Sequence, residues 1–185
     1  MQSCGDVAVV AWRHTTVCHA GPVDAHGGSS DETDIRIERD DLSRAAVRAL
    51  VAEHLGEMVA TTPPESIHAL DVDALSGPGI SVWSAWSGPD LLGIGALHEL
   101  DPRHGELKSM RTTAQARRRG VAGKLVAHLL REARSRGYRR VSLETGSEDY
   151  FEPARALYAS WGFEPCPPFA DYVEDLLSVY LTLRL

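Results

Sequence analysis

Glu106-Leu107-Lys108-Ser109-Met110-Arg111-Thr112, then Arg117-Arg118-Arg119-Gly120-Val121-Ala122-Gly123-Lys124 and a helix-patterned run to about Arg136, form the segment around which the chain is organised. Its first part follows the turn-like Asp101-Pro102-Arg103-His104-Gly105 and reads as a strand. Its last part sets Ala122, Leu125, Val126, Leu129, Leu130 and Ala133 at three- and four-residue spacing, the stripe of a helix with one buried face. Between them lies a short loop with three arginines and a glycine. Amide N–H groups in the first turn of a helix lack intrahelical partners, and the aligned peptide dipoles leave that end partly positive. Strand, glycine-bearing loop and helix start together make an anion site, and neighbouring arginines add charge-assisted hydrogen bonds to phosphate. The expected ligand carries phosphates.

Spacing narrows the choice. The dinucleotide-binding fingerprint Gly-x-Gly-x-x-Gly is absent from this loop. Gly120-Val121-Ala122-Gly123-Lys124-Leu125 has neither the spacing nor the hydroxyl of a nucleotide-binding P-loop. The net charge is −7, yet residues 103–140 hold twelve of the nineteen Lys/Arg and two acids, Glu106 and Glu132. An acidic whole with a basic segment suits a compact polyanion better than nucleic acid. Arg131, Arg134, Arg136, Arg139 and Arg140 read as a solvated outer face, which leaves Arg117, Arg118 and Arg119 as ligand contacts.

The 185 residues suit one main domain with a sizeable core. No apolar run approaches the ~20 residues of a membrane span, and residues 7–12 are too short and too poorly flanked for a secretory core. Cys4, Cys18 and Cys166 are odd in number and widely spaced, so a disulfide framework is not expected and a reducing cytoplasm is. The eight histidines form no ligand set, and no metal is implied. Residues 1–33, with Gly27-Gly28-Ser29-Ser30, read as a loosely attached extension, and the compact domain is expected over 34–185.

Within that domain, residues 34–39 alternate like a half-buried strand. A helix follows, with Asp41 or Ser43 as cap and Val47, Leu50, Val51, His54, Leu55 and Met58 on one face; His54 reads there as a core histidine. After Thr61-Thr62-Pro63-Pro64, residues 65–75 read as a short helix or a loop. Residues 80–86, 91–100 and the strand from Glu106 predict an antiparallel meander, with Gly93 and Gly95 marking either a close backbone approach or a bend. Residues 140–145 read as a strand parallel to its predecessor by a helical crossover. A helix starting at Pro153, carrying Ala154, Leu157, Tyr158 and Trp161, ends at Gly162. Residues 163–166 and 178–183 close the sheet as a hairpin-like pair.

Two separated motifs carry a family resemblance. Arg117-Arg118-Arg119-Gly120-Val121-Ala122 resembles the acyl-CoA signature Arg/Gln-x-x-Gly-x-Gly/Ala of the GNAT N-acetyltransferase superfamily, and Ala154-Arg155-Ala156-Leu157-Tyr158-Ala159-Ser160-Trp161-Gly162-Phe163 resembles its closing motif. The longer pattern Glu106-Leu107-Lys108-Ser109-Met110-Arg111, Leu143-Glu144-Thr145-Gly146 and Pro153-Ala154-Arg155-Ala156-Leu157-Tyr158 is similar to a bacterial subgroup, the YsnE-like proteins. The resemblance covers about residues 34–185. It implies an α/β (mixed α+β) GNAT fold, a twisted mixed sheet of six or seven strands flanked by about four helices. It implies acetyl-CoA contacts from Met110, Arg111 and Thr112, from Arg117, Arg118, Arg119, Gly120, Val121, Ala122, Gly123 and Lys124, and from Tyr158. The segment between the first two strands often shapes the acceptor pocket in this family, which puts His68, Asp71 and Asp73 forward as contacts for a cationic acceptor, with Glu144 beside them. One departure stands out: Phe151 occupies the place where members often have an asparagine that holds the CoA arm.

The implied activity is transfer of acetyl from acetyl-CoA to a primary amine of a small molecule or peptide by direct attack in a ternary complex. A free amine must form first, since a lysine-like ammonium has a pKa of about 10.4. The resemblance places the base on Glu106, with Glu144, Glu99 and His98 as rivals, and makes Tyr158 the acid that protonates the departing thiolate. A backbone N–H near Met110 can serve the carbonyl oxygen. An acyl-enzyme route is disfavoured because Cys166 sits among prolines without a histidine partner. The alternative is a non-catalytic acyl-CoA-binding or regulatory domain. No nucleic-acid or membrane partner is expected, and a homodimer is among the arrangements the sequence allows.

Overall fold

The computed structural model describes residues 35–61, 63, 66 and 68–185; the expected extension at residues 1–33 lies outside them. Seven strands form one sheet: β1 (Arg36–Asp40), β2 (Ile80–Ser87), β3 (Asp90–Asp101), β4 (His104–Thr112), β5 (Arg140–Gly146), β6 (Glu164–Pro165) and β7 (Ser178–Arg184). Their order is β1-β2-β3-β4-β5-β7-β6. Neighbours are antiparallel except β4 and β5, which run parallel from His104↔Arg140 to Leu107↔Leu143. The helices are α1 (Ala45–Thr61), α2 (Val72–Leu75), α3 (Val121–Ser135) and α4 (Glu152–Ser160). This is the mixed sheet and helix complement that the resemblance implies. Among the described residues no helix is long and apolar enough to cross a membrane.

Alternation along β2 and β3 sorts the core onto two faces. Val82, Ile94 and Ala96 meet Val47, Leu50 and Val51 of α1 and Leu75 of α2. Trp83 and Leu97 meet Val126, Leu129, Leu130 and Ala133 of α3, together with Tyr158 and Phe163. A bulge between Ala85 and Trp86 keeps Trp86 on the α1 side, where its Nε1 donates to Ser84 Oγ at 2.8 Å. Each fully buried leucine of α3 is worth about 1.5–3 kcal/mol relative to exposure. The crossover helix is therefore the main anchor of the central strands.

The α3 stripe differs from expectation at its start. Val121 is buried and Ala122 is half-buried. Gly120 adopts a left-handed conformation (φ 74°) ahead of the helix, which turns the first helical side chain inward and leaves the second toward a cleft. Trp161 lies just past α4 and is 37% exposed, so it does not extend that helix's buried face. Residues 71–76 resolve the helix-or-loop choice for their part: α2 is one turn, capped by Asp71, whose Oδ1 accepts from Ala74 N at 2.8 Å. Gly93 and Gly95 answer to close approach. A Cβ on Gly93 would lie 2.6 Å from the Arg111 carbonyl oxygen, and one on Gly95 2.6 Å from Met110 Sδ.

Candidate active site

The parallel ladder between β4 and β5 ends at Leu107↔Leu143. Past it, Ser109 takes a positive φ of 51° and the register with β3 shifts, so the outer half of β4 bends away. Two cavities occupy the space beyond, one on each side of the β4 end. The larger, about 870 Å³, is lined by residues 110–112 of β4, by Arg117, Arg118 and residues 120–123 at the start of α3, and by Tyr150, Phe151, Leu157 and Tyr158. The smaller, about 130 Å³, is lined by Glu106, Lys108, Ser109, Glu144, His68 and Tyr172 among others. Ligand pockets typically span about 300–1,000 Å³. The large cleft suits an extended ligand, and the small cavity suits a group of a few atoms.

Of the expected cofactor contacts, Met110, Arg111, Thr112, Arg117, Arg118, Gly120, Val121, Ala122, Gly123 and Tyr158 all line the larger cleft, whereas Arg119 and Lys124 are exposed and do not. A Cβ on Gly120 or Gly123 would meet nothing within 4 Å, so the backbone there is open to an approaching group. The Arg111 guanidinium is already engaged: its Nη2 donates to Glu57 at 2.5 Å and Glu53 at 3.1 Å, and Nη1 to Tyr150 Oη at 3.3 Å. Against the opposing cost of burial, these bonds hold its pKa above the ordinary arginine value. Arg111 thus ties β4 to α1 and to the segment before α4, while its Nε is buried with no hydrogen-bond partner among the described residues. Phe151, at the departure from the family pattern, packs over Gly146, where a Cβ would come within 2.1 Å of its ring. It lines both cavities.

On the other side, Glu106 is 3% exposed. Tyr172 Oη donates to its Oε1 at 2.6 Å and Lys108 Nζ at 3.1 Å, while His98 Nδ1 lies 3.4 Å from Oε2. Lys108 Nζ also donates to Tyr172 Oη at 2.7 Å, closing a three-membered network. Glu144, on the parallel neighbour, accepts one bond from Ser178 Oγ at 2.8 Å. Burial is the main cause that pushes its pKa up to about 6; Ser178 and Lys108 oppose the shift and Glu106 adds to it. His68 stacks edge-on against Tyr172 with centroids 4.9 Å apart, and burial, then Lys108, lowers its pKa. Asp71 and Asp73 are exposed and do not line the cavity, Asp71 being committed to its cap. Glu99, a rival for the base, instead accepts from Tyr138 Oη at 2.9 Å, and His98 reaches the site through Glu106.

Tyr158 lines both cavities and is 6% exposed, so the wall it forms is shared. Burial, then the charge of Glu144, holds its hydroxyl well above the usual tyrosine pKa, in the protonated form. Cys166 lines neither cavity, and burial pushes its thiol up as well.

A sequence model described as the acetyltransferase (GNAT) family matches residues 22–163. The chain belongs to the GNAT acetyltransferase family. It is 56% identical over 151 residues to the uncharacterized N-acetyltransferase YsnE of Bacillus subtilis (strain 168), a match covering 82% of this chain and 100% of YsnE. The crystal structure assigned as an acyl-CoA N-acyltransferase from Klebsiella pneumoniae superposes with a TM-score of 0.65 at 26% identity, covering 82% of this chain and 97% of that one. A GNAT family acetyltransferase from Elizabethkingia anophelis, solved with acetyl-CoA bound, gives a TM-score of 0.61 at 17% identity over 82% of this chain and 98% of its own. At that identity the likeness is one of fold. This GNAT chain is an acyltransferase enzyme.

Sequence reasoning missed Tyr172 and Ser178. Both come from the connection after the proline-rich residues 165–168, or from the strand just beyond it, where no periodicity or motif marks a site. It also left His54 in the core. The structure sets His54 on the walls of both cavities, with Nδ1 buried and unpartnered among the described residues.

Proposed function

We propose that this GNAT enzyme transfers acetyl from acetyl-CoA to the primary amine of a small molecule or peptide, by direct attack within a ternary complex. The observation that carries the reading is the meeting of a large cleft and a small acidic cavity at Tyr158. The residues present fit a CoA-type co-substrate. Open backbone at Gly120 and Gly123 and the exposed side chains of Arg117 and Arg118 suit a diphosphate at the start of α3, where helix dipole and amides favour negative charge. When bound, the co-substrate supplies an activated acyl group on sulfur.

The chain's own groups divide the remaining work. Glu144 accepts the proton of the acceptor ammonium; its pKa of about 6 lies near working pH, where a general base is most effective. Glu106 holds Lys108 and Tyr172 in place and shapes the cavity, since its bonds to both engage its carboxylate from within the protein. Tyr158, kept protonated by burial, donates to the departing sulfur. The small cavity volume favours an acceptor that inserts only its amine and a short stem. The test is CoA release, followed as free thiol, over a panel of primary amines with both substrates varied. Intersecting initial-rate lines are expected. Parallel lines would point to an acyl-enzyme, and no release with any amine would favour the non-catalytic alternative.

A further inference from the structure

His54 is the polar group at the junction that the mechanism above leaves unused. Six residues line both cavities: His54, Met58, Met110, Phe151, Ala154 and Tyr158. Four of them are apolar. A reacting thioester at the junction would therefore meet two side-chain polar groups, the Tyr158 hydroxyl from α4 and the His54 imidazole from α1. Nδ1 of His54 is buried and has no hydrogen-bond partner among the described residues. Native proteins rarely leave a buried ring nitrogen unpaired, and such an atom on a cavity wall asks for a ligand partner. Core packing alone does not account for it, because an apolar side chain would fill the same helical position without an orphaned nitrogen.

The ring is also in the right protonation state. Burial first, and then the Arg111 charge, push its pKa down to about 4, against the pull of Glu57 and Glu53. A neutral imidazole has one N–H to donate and cannot compete with Glu144 as a base at neutral pH. It can offer a fixed donor that needs no charge change during the reaction.

We propose that His54 is a catalytic residue that donates from Nδ1 to the acyl carbonyl oxygen of the bound thioester. The proposal rests on the acetyl-transfer reading. As the acceptor nitrogen bonds to the carbonyl carbon, the carbonyl π pair moves onto oxygen, where the His54 N–H meets it. The pair returns as the carbon–sulfur bond breaks and sulfur takes the Tyr158 proton; of the two protons that the acceptor ammonium gives up, one rests on Glu144 and the other restores the Tyr158 hydroxyl. Removing a single donor to a developing oxyanion costs about 10²–10³ in turnover.

The test compares acetyl-CoA with CoA by calorimetry, using the full chain as wild type, His54→Leu and His54→Gln, with thermal midpoints measured alongside. His54→Leu is expected to weaken acetyl-CoA by about two- to tenfold, the worth of one hydrogen bond, while CoA affinity stays unchanged and the midpoint holds or rises. His54→Gln, which keeps a donor, should retain part of the acetyl preference. Unchanged affinity for both ligands in His54→Leu would overturn the proposal, and so would an equal loss for both, which would put the contact on the CoA arm. Nitrogen-15 spectra of histidine-labelled wild type need no variant: the His54 Nδ1 resonance should move with acetyl-CoA and stay with CoA, and the same response to both would also overturn it. If wild type binds acetyl-CoA but acetylates no amine, the acetyl-transfer reading fails; if wild type acetylates and His54→Leu behaves as wild type, this inference alone fails.

Discussion

The two sides of the β4 end are built in different ways. The larger cleft takes most of its lining from one run of chain between residues 110 and 125, whose backbone geometry supplies the start of α3 with a left-handed Gly120 and an open Gly123, and residues of α1 and of the α4 region complete it. The smaller cavity is assembled from side chains far apart in sequence: Glu106 of β4 and Glu144 of β5 line it with His68 and Tyr172 from irregular connections, and Ser178 of β7 holds Glu144. A site made of local backbone tolerates side-chain change and binds a recurring group. A site made of distant side chains depends on each of them and can be retuned one residue at a time. On this account the first half serves the shared co-substrate and the second half decides the acceptor.

Substitutions on the two sides should separate these roles. The largest effect belongs to Glu144→Gln, with turnover falling about 10³-fold and CoA affinity unchanged. In wild type the rate should fall about tenfold per pH unit below about 6, as Glu144 takes up its proton, and that limb should vanish in the variant. Stability carries the opposite sign. A carboxyl whose folded pKa is raised stabilises the fold at low pH, and this contribution is lost as pH rises through about 6. Thermal midpoints of Glu144→Gln should therefore gain on wild type between pH 5 and pH 8. Next comes Tyr158→Phe, for which turnover should drop about 10²-fold with acetyl-CoA still bound. A variant that turns over normally would remove the acid assigned at the shared wall.

Tyr172→Phe is expected to act on one side alone. It deletes the 2.6 Å bond to Glu106 and the 2.7 Å bond from Lys108. Leaving a buried carboxylate short of a partner costs about 1–3 kcal/mol, visible in chemical denaturation, and acceptor KM should rise while CoA affinity holds. The smallest change is expected from Arg117→Ala and Arg118→Ala, which are exposed. Each should weaken CoA by roughly two- to fivefold at low salt, and the difference should shrink as added salt screens the charges. A loss concentrated in acceptor KM would break the division of labour.

The same contrast explains what could be read from the sequence. The strand, arginine loop and α3 were legible because their signals are local: a turn, a glycine, then apolar residues at helical spacing. Tyr158 was legible through a motif, and Glu106 and Glu144 through their strands. Val121 was displaced by one position from the expected stripe because periodicity does not reveal how Gly120 turns the chain into the helix. Tyr172 lies in an irregular connection, where patterning carries no information about tertiary contact. His54 shares the stripe of Val47, Leu50 and Val51, and periodicity cannot distinguish a residue facing the core from one facing a cavity at the end of that core. Asp71 shows the converse: an acid near the acceptor segment whose carboxylate is spent on a helix cap.

The most direct measurement is a crystal structure of the protein with CoA. The diphosphate should lie on the amides of residues 120–123, with the sulfur at the shared wall beside Tyr158 and the small acidic cavity open in front of it. A diphosphate bound away from the start of α3, or a sulfur pointing out of the junction, would contradict the account.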